Sequence, residues 1–276
     1  MTVIKVIITG ILSVFCISTA ALAKNKDAQS EVVIVEDVRW GYLNPLRGDK
    51  SPGAADLWGD RTKSVATGML VRFNQGFSSP PHIHNITYRG VVIKGMMHND
   101  TPNAEKMWMP PGSFWMQPAG QNHITAANGK ANLIYLEIDK GPYLVKPSAE
   151  HFDNGERPIN QHKSNIVWLN QDDSTWVKGG DVEITALWEN ADKLRGSMIK
   201  IPAGFNGKLK TDASEFRVVV ITGEVMYKSK ETTEPKKLLP GSYFSSTGKF
   251  QHMLSASEPS TLYIRSGSDF HVSQKR

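Results

Sequence analysis

The sequence predicts an all-β chain made of two tandem sandwich or barrel units. Three observations lead there. Short runs rich in branched and aromatic residues recur along the chain, bounded by Gly, Pro, Asn or Ser, as half-buried strands require. Outside the first 23 residues no stretch holds a helical period. The chain also repeats itself: Arg89-Gly-Val-Val-Ile-Lys-Gly95 returns 128 residues later as Arg217-Val-Val-Val-Ile-Thr-Gly223. An ordered series flanks that pair: Leu57-Trp58 with Leu187-Trp188, Gly76 with Gly204, Pro111-Gly112-Ser113 with Pro240-Gly241-Ser242, and His123 with His252. Such a series reads as an internal duplication, with a period far longer than that of a solenoid. Evenly spaced short strands belong to sandwiches and barrels, jelly rolls among them.

The elements follow in chain order. Lys5, the apolar run from Val6 to Leu22 and Ala21-Leu22-Ala23 ahead of Lys24-Asn25-Lys26 read as an export signal over residues 1–23. The protein is therefore expected in the periplasm or secreted, with no membrane anchor once the signal is cut. The single cysteine, Cys16, lies in this segment behind Phe15, where lipidation would need a small residue. A mature chain without cysteine has no disulfide, no thiolate metal ligand and no cysteine nucleophile. Loss of residues 1–23, which hold one lysine and no acid, lowers the formal charge from +5 to +4. The bases are scattered, Lys236-Lys237 being the nearest to a run, so nucleic acid is not an expected partner. Strands are expected around Val32–Val35, Gly68–Phe73, Tyr88–Ile93, Leu133–Ile138, Arg217–Ile221 and Thr261–Ile264. Residues 141–165, with Gly141-Pro142, Asn154-Gly155 and Arg157-Pro158, read as a polar connection. The units are accordingly set at 24–160 and 161–276.

The chemistry concentrates in three histidines. Alternate residues of a strand share a face, so His82 and His84 aim two imidazoles into one space. His123, in a Pro118-x-Gly120 turn, can add a third and complete a divalent-metal site.

These residues resemble the cupin superfamily. Gly76, His82, His84 and Gly95 fall on its first motif, and Gly112, Pro118, Gly120 and His123 on its second. The resemblance implies two double-stranded β-helix barrels, a bicupin, with metal held by His82, His84 and His123. More narrowly, Leu57-Trp-Gly-Asp60, Ser79-Pro-Pro-His-Ile-His-Asn85 and Gly112-Ser-Phe-Trp-Met-Gln-Pro118 are similar to the bacterial two-cupin proteins of the DUF4437 type. The turn around His123 also resembles anti-sigma-factor cupins of the ChrR kind. Two positions depart from the pattern. Tyr88 stands where cupins carry a glutamate ligand, and Ala127 where they carry asparagine. Three neutral ligands leave the full charge on the metal and favour an anionic guest.

Tyr88 is then either a core aromatic or a phenol facing the metal as proton donor or weak ligand. Gln117 and Trp115 are the candidates for contact with a substrate. His98 reads as a solvated loop histidine. In the second half Lys210, Asp212 and Phe216 replace the ligand positions and only His252 survives, so that barrel reads as degenerate. Zinc or iron suits the three imidazoles best, with Mn, Ni, Co and Cu open. The expected function is a metal-dependent enzyme, dioxygenase-like or hydrolase- or isomerase-like, on a small oxygen-rich or anionic molecule. A non-enzymatic metal or ligand sensor is the alternative. Pairing of barrels leaves a homodimer and a monomer both open.

Overall fold

The structure, a computed structural model, describes residues 30–275, so the export signal expected over 1–23 lies outside the described residues. Strands dominate, and they form the expected two barrels. In the first, a seven-stranded sheet runs in the order Ile159–Gln161, Phe114–Gln117, Tyr88–Lys94, Asn132–Ile138, Thr67–Phe73, Gly53–Trp58, Gly41–Tyr42. Two short pairs complete it: His82–His84 with Val145–Pro147, and Met97–Asp100 with Ile124–Ala127. In the second, a six-stranded sheet runs Ser30–Val33, Tyr243–Ser246, Phe216–Thr222, Ser260–Ser266, Arg195–Ile201, Glu183–Glu189. Another six-stranded sheet, centred on Phe205–Thr211 and Phe250–Ala256, faces it.

The duplication is visible strand for strand, with one exchange. Ser30–Val33 precedes the first barrel in sequence but pairs with Tyr243–Ser246 of the second. Its counterpart Ile159–Gln161 precedes the second barrel and pairs with Phe114–Gln117 of the first. Each half thus lends its leading strand to the other. The connection read at 141–165 is not a free linker, since Val145–Pro147 and Ile159–Gln161 both add to first-barrel strands.

The two large sheets pack on each other, which explains why their strands read as continuous apolar runs instead of alternating ones. Along Tyr88–Lys94, Val92 points into the first barrel with Met69, Val71 and Ile134. Val91 and Ile93 point the other way, into a shared layer with Val219, Ile221 and Tyr263 of the second barrel.

Within that layer lies a buried polar cluster. Glu137 accepts from the hydroxyls of Tyr135 at 2.9 Å and Tyr263 at 2.7 Å, and from Arg265 at 3.3 Å. Arg265 also donates to Asp139 and Glu215, both at 2.7 Å. Burial alone would lower the Arg265 pKa, but Glu137, Asp139 and Glu215 together hold it above its ordinary value. The duplication shows here too. Trp58 donates to Tyr135 while Arg217 stacks on its ring at 4.1 Å; Trp188 donates to Tyr263 while Arg89 stacks on its ring at 3.7 Å. Glu137 and Arg265 occupy equivalent positions in the two halves, so the repeat is broken where opposite charges meet.

Candidate metal centre

His82 and His84 lie on the short strand His82–His84, and both are buried. His123 faces His82 through a pair of backbone hydrogen bonds, His82 N to His123 O and His123 N to His82 O, each 3.0 Å. Residues opposed in this way turn their side chains to the same side. The turn before His123 docks on the same strand, with Gly120 N donating to His84 O at 2.8 Å. Gly120 has φ +76°, and a Cβ there would meet Phe152 at 2.5 Å, so this position requires glycine.

The three imidazoles converge, with candidate ligand nitrogens all within 4.8 Å of one another. Their protonation follows from their partners. His82 Nδ1 donates to Pro80 O at 2.9 Å, His84 Nδ1 to Leu144 O at 3.0 Å, and His123 Nδ1 to Gln121 O at 3.0 Å. A carbonyl only accepts, so each Nδ1 carries the proton and each Nε2 keeps its lone pair. This is the outer-sphere arrangement that orients metal-binding histidines. Burial lowers the pKa of all three. At His84 the neighbouring His123 and His82 lower it further, and His123 falls to about 3. The set is neutral across physiological pH and fits a divalent transition metal. Among the described residues no carboxylate joins the cluster.

Tyr88 faces the site, as its replacement of the ligand glutamate allowed. Its hydroxyl lies 3.3 Å from His123 Nε2 and donates to Asn99 Oδ1 at 2.8 Å. Asn99 also accepts from Thr125 at 2.8 Å and donates to Gln117 Oε1 at 2.8 Å. Gln117, expected to touch a substrate, sits behind this network and does not line the cavity above the histidines. Its physical role is to orient Asn99, which holds the Tyr88 proton. Trp115 does line the cavity, packed against Gly90, where a Cβ would lie 2.2 Å from the indole. His98 is corrected. It is a buried residue of Met97–Asp100, turned away from the site because its neighbour Asn99 faces it, and it packs near Trp108.

One residue of the site escaped the sequence reading. Tyr143 stacks on His84 at 4.3 Å between centroids, and its hydroxyl donates to His84 Nε2 at 3.1 Å. Burial pushes the phenols of Tyr88 and Tyr143 above their ordinary value. The cavity measures about 100 Å³, and its walls include Val71, Phe73, Phe77, Ile134 and Leu136. Room of that size admits several waters or one small guest.

The second barrel holds no such space around its surviving histidine. His252 is fully buried, bonded to Tyr227 at 3.0 Å and Ser246 at 3.1 Å, and stacked with Phe216. Phe216, at the position equivalent to Tyr88, packs with Phe270 in a core where the first barrel keeps a cavity.

Comparisons agree with this architecture. The family model of a domain of unknown function, DUF4437, matches residues 31–273. No curated protein matches the sequence. A crystal structure of a putative dioxygenase from Nostoc punctiforme aligns over 87% of this chain and 83% of its own, with TM-score 0.66 and 14% identity. Salicylate 1,2-dioxygenase from Pseudoaminobacter salicylatoxidans, as adducts with gentisate, aligns over 87% and 81%, with TM-score 0.56 and 12% identity. The Ylba protein of E. coli, matched to DUF861, aligns over 87% and 92%, with TM-score 0.57 and 13% identity. At these identities the likeness establishes the fold.

Proposed function

This chain belongs to the DUF4437 family, and from its site we propose that it is an exported metal-dependent enzyme of dioxygenase-like type, acting on a small oxygen-rich or anionic molecule in the first barrel. The observation that carries the reading is the tautomer lock: three backbone carbonyls hold the three Nδ1 protons, leaving three neutral Nε2 donors, with His82 and His84 in the wall of the cavity. His82, His84 and His123 would hold the ion. A bound transition metal supplies Lewis acidity and, if iron, the redox capacity for dioxygen chemistry.

Beside the ligands the chain offers, among the described residues, no proton acceptor poised near neutral pH, so hydrolysis or isomerisation here would rest on a metal-bound water alone. The titratable groups lining the cavity apart from the ligands are two phenols pushed up by burial and one guanidinium. Tyr88 offers a lone pair toward the site, since its proton is committed to Asn99. Tyr143 offers a proton, because its present acceptor, His84 Nε2, is the atom a metal would take. Export rests on the leader of residues 1–23, and N-terminal sequencing of protein from the periplasm checks it.

The test is oxygen uptake by the ferrous-loaded protein with diketones, thiols and catechols. Uptake is expected with one class and is lost in His82→Ala/His84→Ala. Uptake that survives that double replacement refutes the assignment.

A further inference from the structure

The cavity above the histidines has one charged wall. Arg47 lines it, and no Asp, Glu or Lys does so among the described residues. Arg47 is exposed while His84 is buried, so the space runs from Arg47 at its open rim to the imidazoles of His82 and His84 at its closed end. The loop carrying Arg47 is tied down on both sides. Asn44 N donates to Ser51 Oγ at 2.8 Å, Asn44 Oδ1 caps Leu46 N at 3.0 Å, Ser51 N donates to Gly48 O at 2.9 Å, and Leu43 N donates to Pro52 O at 2.8 Å. These bonds close the turn Pro45–Lys50 on itself and hold Arg47 over the mouth. Among the described residues no carboxylate pairs with its guanidinium. An arginine without a counter-ion, at the rim of a space with no acid in its wall, can turn its planar fork of donors to a carboxylate guest.

We propose that Arg47 sets the substrate class: the cavity takes a small organic acid, its carboxylate on Arg47 and its apolar body against the packed pair Phe73 and Phe77. The neutral ligand set works in the same direction. The apo cavity carries one positive charge, and a divalent ion beneath it would raise this to three with nothing acidic in the wall to offset it. The aromatic walls and the size of the space limit the body to about one ring. This deepens the function proposed above by naming the guest, and it rests on that reading only for the guest's reaction.

The test is binding, not turnover. Benzoate and butyrate, each beside its neutral amide, are titrated calorimetrically into the chelator-treated full chain and into its zinc-loaded form. Each acid should bind the metal-free protein about fivefold or more tightly than its amide, the scale of one rim guanidinium. Arg47→Gln should abolish that preference in the metal-free protein, and Arg47→Lys should keep part of it. Arg47 is exposed, so both variants should melt with the parent. The inference is overturned if neither acid binds, if the amides bind equally well, or if the preference survives Arg47→Gln. The two readings fail separately. Zinc uptake without acid preference removes this inference and leaves the metal centre. Acid preference without zinc uptake does the reverse.

Discussion

Replacing Glu137 by leucine tests how the two barrels are held together. The carboxylate is fully buried and takes hydrogen bonds from Tyr135, Tyr263 and Arg265, the last two from the opposite barrel. Leucine fills a similar volume and accepts nothing. Two buried hydroxyls lose their acceptor, at about 1–2 kcal/mol each. Arg265 loses one of three carboxylates but keeps Asp139 and Glu215, both at 2.7 Å, which limits its share to about 1 kcal/mol. The expected loss is about 4 kcal/mol, which in a chain of this size lowers the melting temperature by about 10 °C. Arg265→Leu should cost more, about 5 kcal/mol, because it strips the guanidinium from a buried carboxylate. Equilibrium urea unfolding of the parent, both single variants and the double variant measures these losses. The double variant should lose less than the sum of the singles, with a coupling of about 1–3 kcal/mol. A Glu137→Leu protein within about 1 kcal/mol of the parent, or simple additivity in the cycle, would refute the account of the interface.

Other expectations follow from the same geometry. Tyr143→Phe removes a hydroxyl that competes for His84 Nε2, so zinc affinity should rise about fivefold, the worth of one neutral hydrogen bond; weaker binding would instead make the hydroxyl a helper of the ion. His123 and His252 are held at about 3, burial being the chief cause, against an unfolded value of 6.5. The unfolded chain therefore binds more protons between those values. The metal-free protein should lose about 1.4 kcal/mol of stability per pH unit per histidine as pH falls through that window. His252→Leu should make the acid limb of a urea-midpoint profile shallower, and an unchanged slope contradicts the buried neutral state.

Much of this was legible in the chain. The His82-x-His84 spacing and the Pro118-x-Gly120 turn place three rings together because strand alternation and a required glycine turn leave few other geometries. Tyr88 at the glutamate position left a core aromatic and a phenol facing the site both open, and its bond to Asn99 beside His123 selects the second. Phe216 and the lost ligands marked the second barrel as degenerate. Other features had no local signature. Tyr143 and the Leu144 carbonyl lie after Gly141-Pro142, in a stretch whose composition reads as loop, and they reach His84 only because Val145–Pro147 pairs with the histidine strand. The exchange of Ser30–Val33 and Ile159–Gln161 is a matter of long-range pairing that two short polar-flanked runs do not announce. Glu137 lies inside the apolar run Leu133–Ile138 with nothing local to name its partners, and Tyr263 and Arg265 reach it only because the second sheet covers that face. Arg47 is an exposed loop base among many, distinguished only by the cavity it overlooks.

Metal analysis of the purified protein tests the central claim most directly. After exposure to zinc or ferrous salts and removal of excess, the parent should retain one ion per chain, and His82→Ala/His84→Ala should retain none while keeping its barrel spectrum by circular dichroism. A parent that stays free of metal under both salts, or a double variant that still holds one ion per chain, contradicts the three-histidine centre.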